Sequence, residues 1–193
     1  MNTINYRYIA DAIEYYQKCD YNYVEVPWYV TEDVMNVTKP FNKSSDDDYY
    51  IPKNNKYLVA SAEQSFIYHI FKGIMLPGYY VGASPCFRFE KISDTHRKCF
   101  MKVELIYISE NMEENLNPHM DKMVYDAKHF FEKIIGNYTD ILEVPQENSI
   151  VNYDIMYKGY ELGSYGIRKH KNLFQWVYGT GCAEPRLSIV KKM

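Results

Sequence analysis

Charge of one sign is scarce in this chain: 22 Lys and Arg against 25 Asp and Glu leave a formal net charge of −3 over 193 residues. That balance gives no general attraction to nucleic acid, so any such contact needs a local patch. Cysteine is scarce too. Cys19, Cys86, Cys99 and Cys182 are scattered, with no Cys-x-x-Cys pair and no metal-ligand spacing, which argues against a cysteine-held metal. No apolar run approaches membrane-spanning length, and Met1 is followed by no basic-then-apolar segment, so the chain reads as cytosolic with reduced thiols. Neither a Gly-x-Gly-x-x-Gly fingerprint after a strand nor a phosphate-loop Lys-Ser/Thr is present, so the usual nucleotide-fold signatures are missing.

What is present suits one globular domain over residues 1–193, with 47% hydrophobic and 24% charged residues, enough for a sizeable core. Tyr6, Ile9, Ile13 and Tyr16 recur at helical spacing and predict an amphipathic helix over residues 4–18. Residues 21–26 read as a strand stopped by Pro27, and Glu32-Asp33 opens a short helix. Residues 41–56, with Ser44-Ser45, Asp46-Asp47-Asp48 and Asn54-Asn55, read as a loop whose acids are solvated. After a short strand at 57–60, Ser61 and Gln64 form a capping-box pattern. Phe66, Ile67, Ile70, Phe71 and Ile74 line one face of the helix that follows. Asn117-Pro118 reads as the cap and first residue of a helix buried through Met120, Met123, Val124, Ala127, Phe131 and Ile134. It ends at Gly136, and residues 139–149 read as a polar connection.

Three stretches carry chemistry. The first is Pro85-Cys86-Phe87-Arg88-Phe89-Glu90, a polar break at 91–95, then His96 to Leu105 with alternating side chains, which predicts a hairpin. Arg88 and Glu90 share one face, as do Phe100, Lys102 and Glu104. Such a hairpin can hold an anionic aromatic ligand, or it can be a surface ladder of cross-strand salt bridges. Cys86 and Cys99 could face each other across it, although a disulfide is not expected in a reducing compartment. The second stretch flanks Lys158-Gly159, a two-residue hairpin turn. Pairing Tyr157 with Tyr160 sets Met156 opposite Glu161 and leaves Asp154 a diagonal neighbour on the same face. Two carboxylates so placed repel unless a cation lies between them, and oxygen ligands suit Mg²⁺ with phosphates; a solvated edge strand is the alternative. The third is Gly179-Thr180-Gly181-Cys182-Ala183, a turn leading into a helix. Arg186 falls in the first turn of that helix, where the dipole disfavours a cation unless an anion is bound.

In this order, the three stretches resemble the catalytic core of class II aminoacyl-tRNA synthetases. Phe87-Arg88-Phe89-Glu90 with Phe100-Met101-Lys102-Val103-Glu104 is similar to the family's second motif. Gly179-x-Gly181-x-Ala183-x-x-Arg186 is similar to its third. The first helix with Tyr23-Val24-Glu25-Val26-Pro27 is similar to its first, which builds a dimer interface. Residues 57–63 and 84–88 look like the seryl enzyme and its relatives. Tyr153-Asp154 through Arg168 looks like the aspartyl, asparaginyl and lysyl group, so the resemblance names no single substrate.

The resemblance implies an α+β fold, an antiparallel sheet flanked by helices, and an ATP-dependent ligase that joins an amino-acid carboxylate to ATP as an aminoacyl-adenylate. Arg88 and Arg186 are the implied catalytic residues, on the α- and γ-phosphates. Phe100 stacks on adenine, Glu90 takes adenine or the substrate amine, and Arg97, Gly179 and Gly181 are further ATP contacts. Glu63 contacts the substrate amine, and Asp154 and Glu161 hold Mg²⁺. A homodimer is implied as well. The departures are a short second-motif loop with His96 where an arginine often stands, Ala183 for the last glycine, Pro185 before Arg186, and no room after it for an anticodon-binding domain. They point to an acceptor other than a conventionally recognised tRNA, such as a carrier protein or a small amine. Two alternatives stay open: a regulatory module that binds the nucleotide or amino acid without turnover, and a minimal tRNA ligase reading only the acceptor stem.

Overall fold

The computed structural model describes residues 3–39, 49–89, 91–145, 149–171 and 173–193. Glu90, Ser44-Ser45 and the Asp46-Asp47-Asp48 triplet lie outside the described residues.

Asn5 accepts a hydrogen bond from the Arg7 amide and starts helix α1 (Tyr6–Lys18), whose Ile9, Ala12 and Tyr16 are buried. Strand β1 (Asn22–Tyr23) is shorter than its sequence pattern suggests, although the Val24 amide still donates to the Val81 carbonyl at 3.0 Å before the chain passes Pro27 to β2 (Tyr29–Val30). Helix α2 (Glu32–Thr38) opens with Glu32 and Asp33 in its first turn. Beyond β3 (Tyr50–Ile51), β4 (Lys56–Leu58) pairs with both β2 and β3 in a small antiparallel sheet.

Helix α3 (Ala62–Phe71) is capped by Ser61, whose Oγ accepts from the Glu63 amide. Gln64 turns back to the Ala60 amide at 2.8 Å, closing a variant of the capping box. The helix stops at Phe71, so Phe71 and Ile74, expected on its buried face, are 39% and 58% exposed. Strands β5 (Gly78–Phe87) and β6 (Cys99–Ser109) form the expected hairpin, with Cys86 opposite Phe100 and Phe87 opposite Cys99. That register puts the two thiols on opposite faces, one buried and one exposed, and both are free.

Helix α4 (Asn117–Ile135) is capped by Leu116 rather than Asn117 and ends at Gly136, whose φ of 78° suits glycine. The stretch read as a polar connection contains an exposed edge strand, β7 (Asp140–Glu143). Strands β8 (Asn152–Tyr157) and β9 (Tyr160–His170) pair as the sequence indicates, Tyr157 with Tyr160 and Met156 with Glu161. Lys158 and Gly159 both have positive φ, as this hairpin turn requires.

The glycine stretch expected to be a turn is instead the interior of β10 (Phe174–Glu184), which precedes the short helix α5 (Arg186–Val190). Glycines are needed there for close approach. A Cβ on Gly179 would lie 2.4 Å from the Tyr165 ring and 2.6 Å from Met123 Sδ, and one on Gly181 would lie 2.8 Å from the Tyr16 ring.

The main sheet has seven strands in the order β1-β5-β6-β10-β9-β8-β7, antiparallel except where β1 meets β5. Its side chains alternate between two cores. Val103, Leu105, Tyr165 and Val177 face α1 and α4, with Met120, Met123, Phe130 and Phe131 above them. Ile106, Ile108, Trp176 and Tyr178 face α2 and α3, against Phe66 and Ile67. Burying side chains such as Phe66 and Ile67 contributes about 1.5–3 kcal/mol each. β10, covered on both sides, is buried along its whole length. This is the α+β architecture anticipated from the sequence.

Candidate active site

A cavity of about 430 Å³ opens on the α2–α3 side of the sheet, within the range of small-molecule sites. Side chains two residues apart on β6 and β10 make its floor. Phe100 comes first on β6, at the mouth, followed by Lys102 and Glu104. Thr180 lies opposite Glu104 on β10, and Tyr178 follows. Arg168 and Glu63 complete the deep end.

Glu104 is anchored where α3 begins. One oxygen accepts from Ser61 Oγ at 2.5 Å and Lys102 Nζ at 2.6 Å, and the other from the Ala62 amide. The first amides of a helix have no partner within it, so this carboxylate answers one of them. Burial works against its charge, but Lys102, Ser61 and Arg88 outweigh that and hold the carboxyl below the ordinary range. Glu63 is tied as firmly. Its oxygens accept from Arg168 Nη1 and Trp176 Nε1, both at 2.7 Å. Burial tends to discharge the Arg168 guanidinium, but Glu63 and the surrounding groups more than offset that and raise its pKa. The Tyr178 ring lies 4.2 Å from the guanidinium carbon.

The mouth is built differently. Arg88 donates from Nε to the Ala60 carbonyl at 2.9 Å and lies over the Phe100 ring at 5.2 Å, so one cation and one ring face are presented together. Arg186, at the first position of α5, donates to Glu161 Oε1 at 2.8 Å and sits 3.4 Å from His96 Nε2. Arg97 lines the cavity, and its Nη1 donates to the Ser93 and His96 carbonyls of the loop. Glu184, wholly buried, accepts from Ser188 in α5 and from the Asn5 amide before α1, locking the segment that carries Arg186.

Among the sequence-predicted residues, Glu63, Arg88, Arg97, Phe100, Glu161 and Arg186 therefore line one cavity. Asp154 is not in its lining but lies opposite Ser164, which is, and accepts from Asn152. Gly179 and Gly181 do not line it; their missing side chains make room for Tyr165 and Tyr16 on the far face.

Asp154 bears on the metal expectation. Its carboxyl is raised by burial and by the charge of Glu161, against opposing help from Ser164, Asn152 and Arg186. A hard dication would relieve that repulsion, and two carboxylates on neighbouring strands are the oxygen donors it favours. Among the described residues no cluster of three or more His, Cys, Asp or Glu is poised to hold a metal, so further ligands must come from phosphate and water. The donors fit Mg²⁺ on those terms.

The sequence reading missed Arg168, Tyr178 and Trp176 as site residues. The available signal was an arginine directly after the apolar Ile167 on a strand whose middle is buried, which demands a buried partner. Nothing local says that the partner is Glu63.

The family profile described as tRNA synthetases class II core domain (F) matches residues 9–182. A serine–tRNA ligase of Coprothermobacter proteolyticus is 33% identical over 133 residues, 63% of this chain and 31% of that protein. Seryl-tRNA synthetase from Pyrococcus horikoshii, solved with ATP, superposes with a TM-score of 0.78 at 18% identity, covering 94% of this chain and 48% of that one. A cytoplasmic serine-tRNA ligase from Naegleria fowleri, solved with AMP, gives 0.77 at 18% identity, covering 94% and 52%. Pyrrolysyl-tRNA synthetase from Desulfitobacterium hafniense gives 0.74 at 13% identity, covering 96% and 68%. The chain thus spans about a third of its curated relative and about half of the two seryl structures. At these identities the solved structures speak for the fold.

Proposed function

Since the chain belongs to the class II tRNA synthetase core domain family, we propose that it is an ATP-dependent ligase that activates an amino acid as its adenylate. A carboxylate oxygen of the amino acid attacks the α-phosphorus of ATP. The bond to the bridging oxygen breaks, and pyrophosphate leaves with the electron pair. No proton need move, so catalysis is positioning and charge neutralisation.

The observation that carries this reading is the convergence of Arg88, Phe100 and Arg186 on one cavity. Phe100 offers a ring face to the base, with Arg88 beside it for the α-phosphate. Arg186 would exchange Glu161, half-exposed in the pair, for the γ-phosphate. Arg97 would reach the phosphates from the loop, and Glu90 would take the adenine or the substrate amine. Mg²⁺ held by Asp154 and Glu161 would neutralise the phosphate oxygens.

The proposed acceptor is not a tRNA read through its anticodon; a carrier protein or a small amine fits a chain of net charge −3, which does not attract nucleic acid as a whole. A homodimer through α1 and β1 is part of the proposal, supported by Tyr6 and Tyr23, 63% and 49% exposed on those elements; sedimentation as a monomer would remove this part alone. A second reading, a sensor without turnover, is favoured by the engagement of Arg186 with Glu161.

Pyrophosphate exchange over a panel of amino acids tests the ligase. Exchange with one or a few of them is expected, falling at least 100-fold in Arg88→Ala. Tight ATP binding with no exchange would leave the sensor. Acceptor assays with tRNA and with carrier protein then separate the possible recipients.

A further inference from the structure

The main sheet ends at β7, whose four residues are all exposed. Among the described residues this strand pairs only with β8. Just beyond it, the Val144 amide donates to the Asn152 carbonyl at 2.9 Å. In an antiparallel ladder, hydrogen-bonded pairs alternate with pairs that make no such bond. Counting back from Val144, Leu142 opposite Asp154 and Asp140 opposite Met156 are the bonded pairs. The backbone amides and carbonyls of Ile141 and Glu143 therefore point away from β8 and into water. Such a row is a template for one more strand.

The side chains define which strand fits. Ile141 lies opposite Ile155 of the α1–α4 core, and Leu142 opposite Asp154 on the other face; the two are 43% and 50% exposed. Tyr138 before the strand and Ile150 after it are 86% and 62% exposed, so the apolar surface runs past both ends. Asp140 and Glu143 bracket the apolar pair. A second copy of β7 laid antiparallel in the centred register sets Asp140 against Glu143 at both ends, and like charges directly opposite destabilise a strand pair. A strand carrying a basic residue at each of those positions turns both clashes into cross-strand ion pairs.

We propose that β7 is a docking edge for an extended basic segment of a partner polypeptide, with the pattern basic-apolar-apolar-basic, which joins the sheet as an eighth strand. The backbone groups of Ile141 and Glu143 hold its main chain, and Asp140 and Glu143 select its charge. Its apolar residues cover Ile141 on one face of the sheet and Leu142 on the other. The inference is independent of whether the cavity activates an amino acid, and its test uses neither ATP nor turnover.

The probes are two synthetic peptides, Thr-Lys-Val-Val-Lys-Thr and Thr-Glu-Val-Val-Glu-Thr, titrated into the isotope-labelled full chain and followed by NMR. The lysine peptide is expected to bind at least tenfold tighter than the glutamate one. At saturation it should slow hydrogen exchange of the Ile141 and Glu143 amides at least tenfold, with a smaller change at Leu142, whose amide is already bonded to β8. Ile141→Pro removes an outward amide without touching the ladder to β8 and should weaken binding at least tenfold. Asp140→Lys/Glu143→Lys should invert the preference between the two peptides. Thermal unfolding identifies a proline variant that does not fold, in which case the charge-reversed protein, altered only at exposed positions, decides. Equal affinity for the two peptides, no binding of either, or binding that leaves the Ile141 and Glu143 amides unprotected would overturn the proposal. So would self-association of the chain that Ile141→Pro abolishes, because the edge would then belong to a second copy.

Discussion

At the deep end of the cavity both carboxylates are fully engaged: Glu63 by Arg168 and Trp176, Glu104 by Ser61, Lys102 and the start of α3. At the mouth, Arg186 also has a carboxylate at 2.8 Å, yet that carboxylate, Glu161, remains 41% exposed. The same residue types thus do two jobs. Buried and closed, the pairs fix a shape and a charge pattern that persist whether or not a ligand is present. At the mouth only the carboxylate is half-solvated: Arg186 is 16% exposed, so Glu161 can pass to water while a phosphate takes its place on the arginine.

The largest expected effect comes from opening a closed pair. Glu104→Ala leaves Lys102 buried without its carboxylate and the Ala62 amide without its acceptor. The loss of stability should be about 3–5 kcal/mol, read from urea unfolding at neutral pH. The pH dependence has a definite sign. The folded Glu104 carboxyl is held below its ordinary value of 4.5, so its contribution is present above that value and is lost as the pH falls through the depressed one. The unmodified protein should weaken progressively below about pH 5, and the Glu104→Ala protein should lose part of that acid slope. An unchanged slope would mean that the deep end is not held by this charge.

Much of the mouth was legible in the sequence because its residues sit in patterned strands. Alternation around Arg88 and Phe100, and the turn at Lys158-Gly159, give register directly, and register places side chains on faces. The deep end was not legible for a physical reason. Arg168 and Glu63 are 105 residues apart and belong to a strand and a helix whose contact depends on the whole sheet being assembled. Glycine spacing misled in another way. Gly179 and Gly181 satisfy a turn pattern as well as a strand that admits aromatic rings, and only Tyr165 and Tyr16 on the opposing face decide between them. The fold class was reached before the local structure of that stretch, through resemblance rather than through its residues.

A middle-sized effect separates the two ends by ligand rather than by stability. Arg186→Ala removes the partner of Glu161, but with Glu161 this exposed the stability loss should stay below about 1 kcal/mol. ATP affinity should fall about tenfold or more, the magnitude of one charge-assisted hydrogen-bond contact, while AMP affinity barely moves. Calorimetry with both nucleotides checks this. Equal losses for ATP and AMP would mean that Arg186 shapes the mouth as a whole instead of gripping the distal phosphate.

The smallest effect concerns Asp154, which resembles neither end. Its carboxyl is raised by burial and by Glu161, so the folded protein holds this proton more tightly than the unfolded chain. Stability from this group is present below the ordinary carboxylate value and is lost as the pH rises through the raised one, which leaves the ionised Asp154 mildly destabilising at neutral pH. Asp154→Asn should therefore stabilise the protein by less than about 1 kcal/mol, because the site is half-solvated, and raise the melting temperature slightly. Any stabilisation that Mg²⁺ with ATP gives the unmodified protein should shrink in the same variant. A melting temperature that falls would show that Asn152 and Ser164 satisfy the carboxylate better than its repulsion from Glu161 disturbs it. In that case Asp154 belongs with the closed pairs of the deep end, and the exchangeable mouth is confined to Arg186 and Glu161.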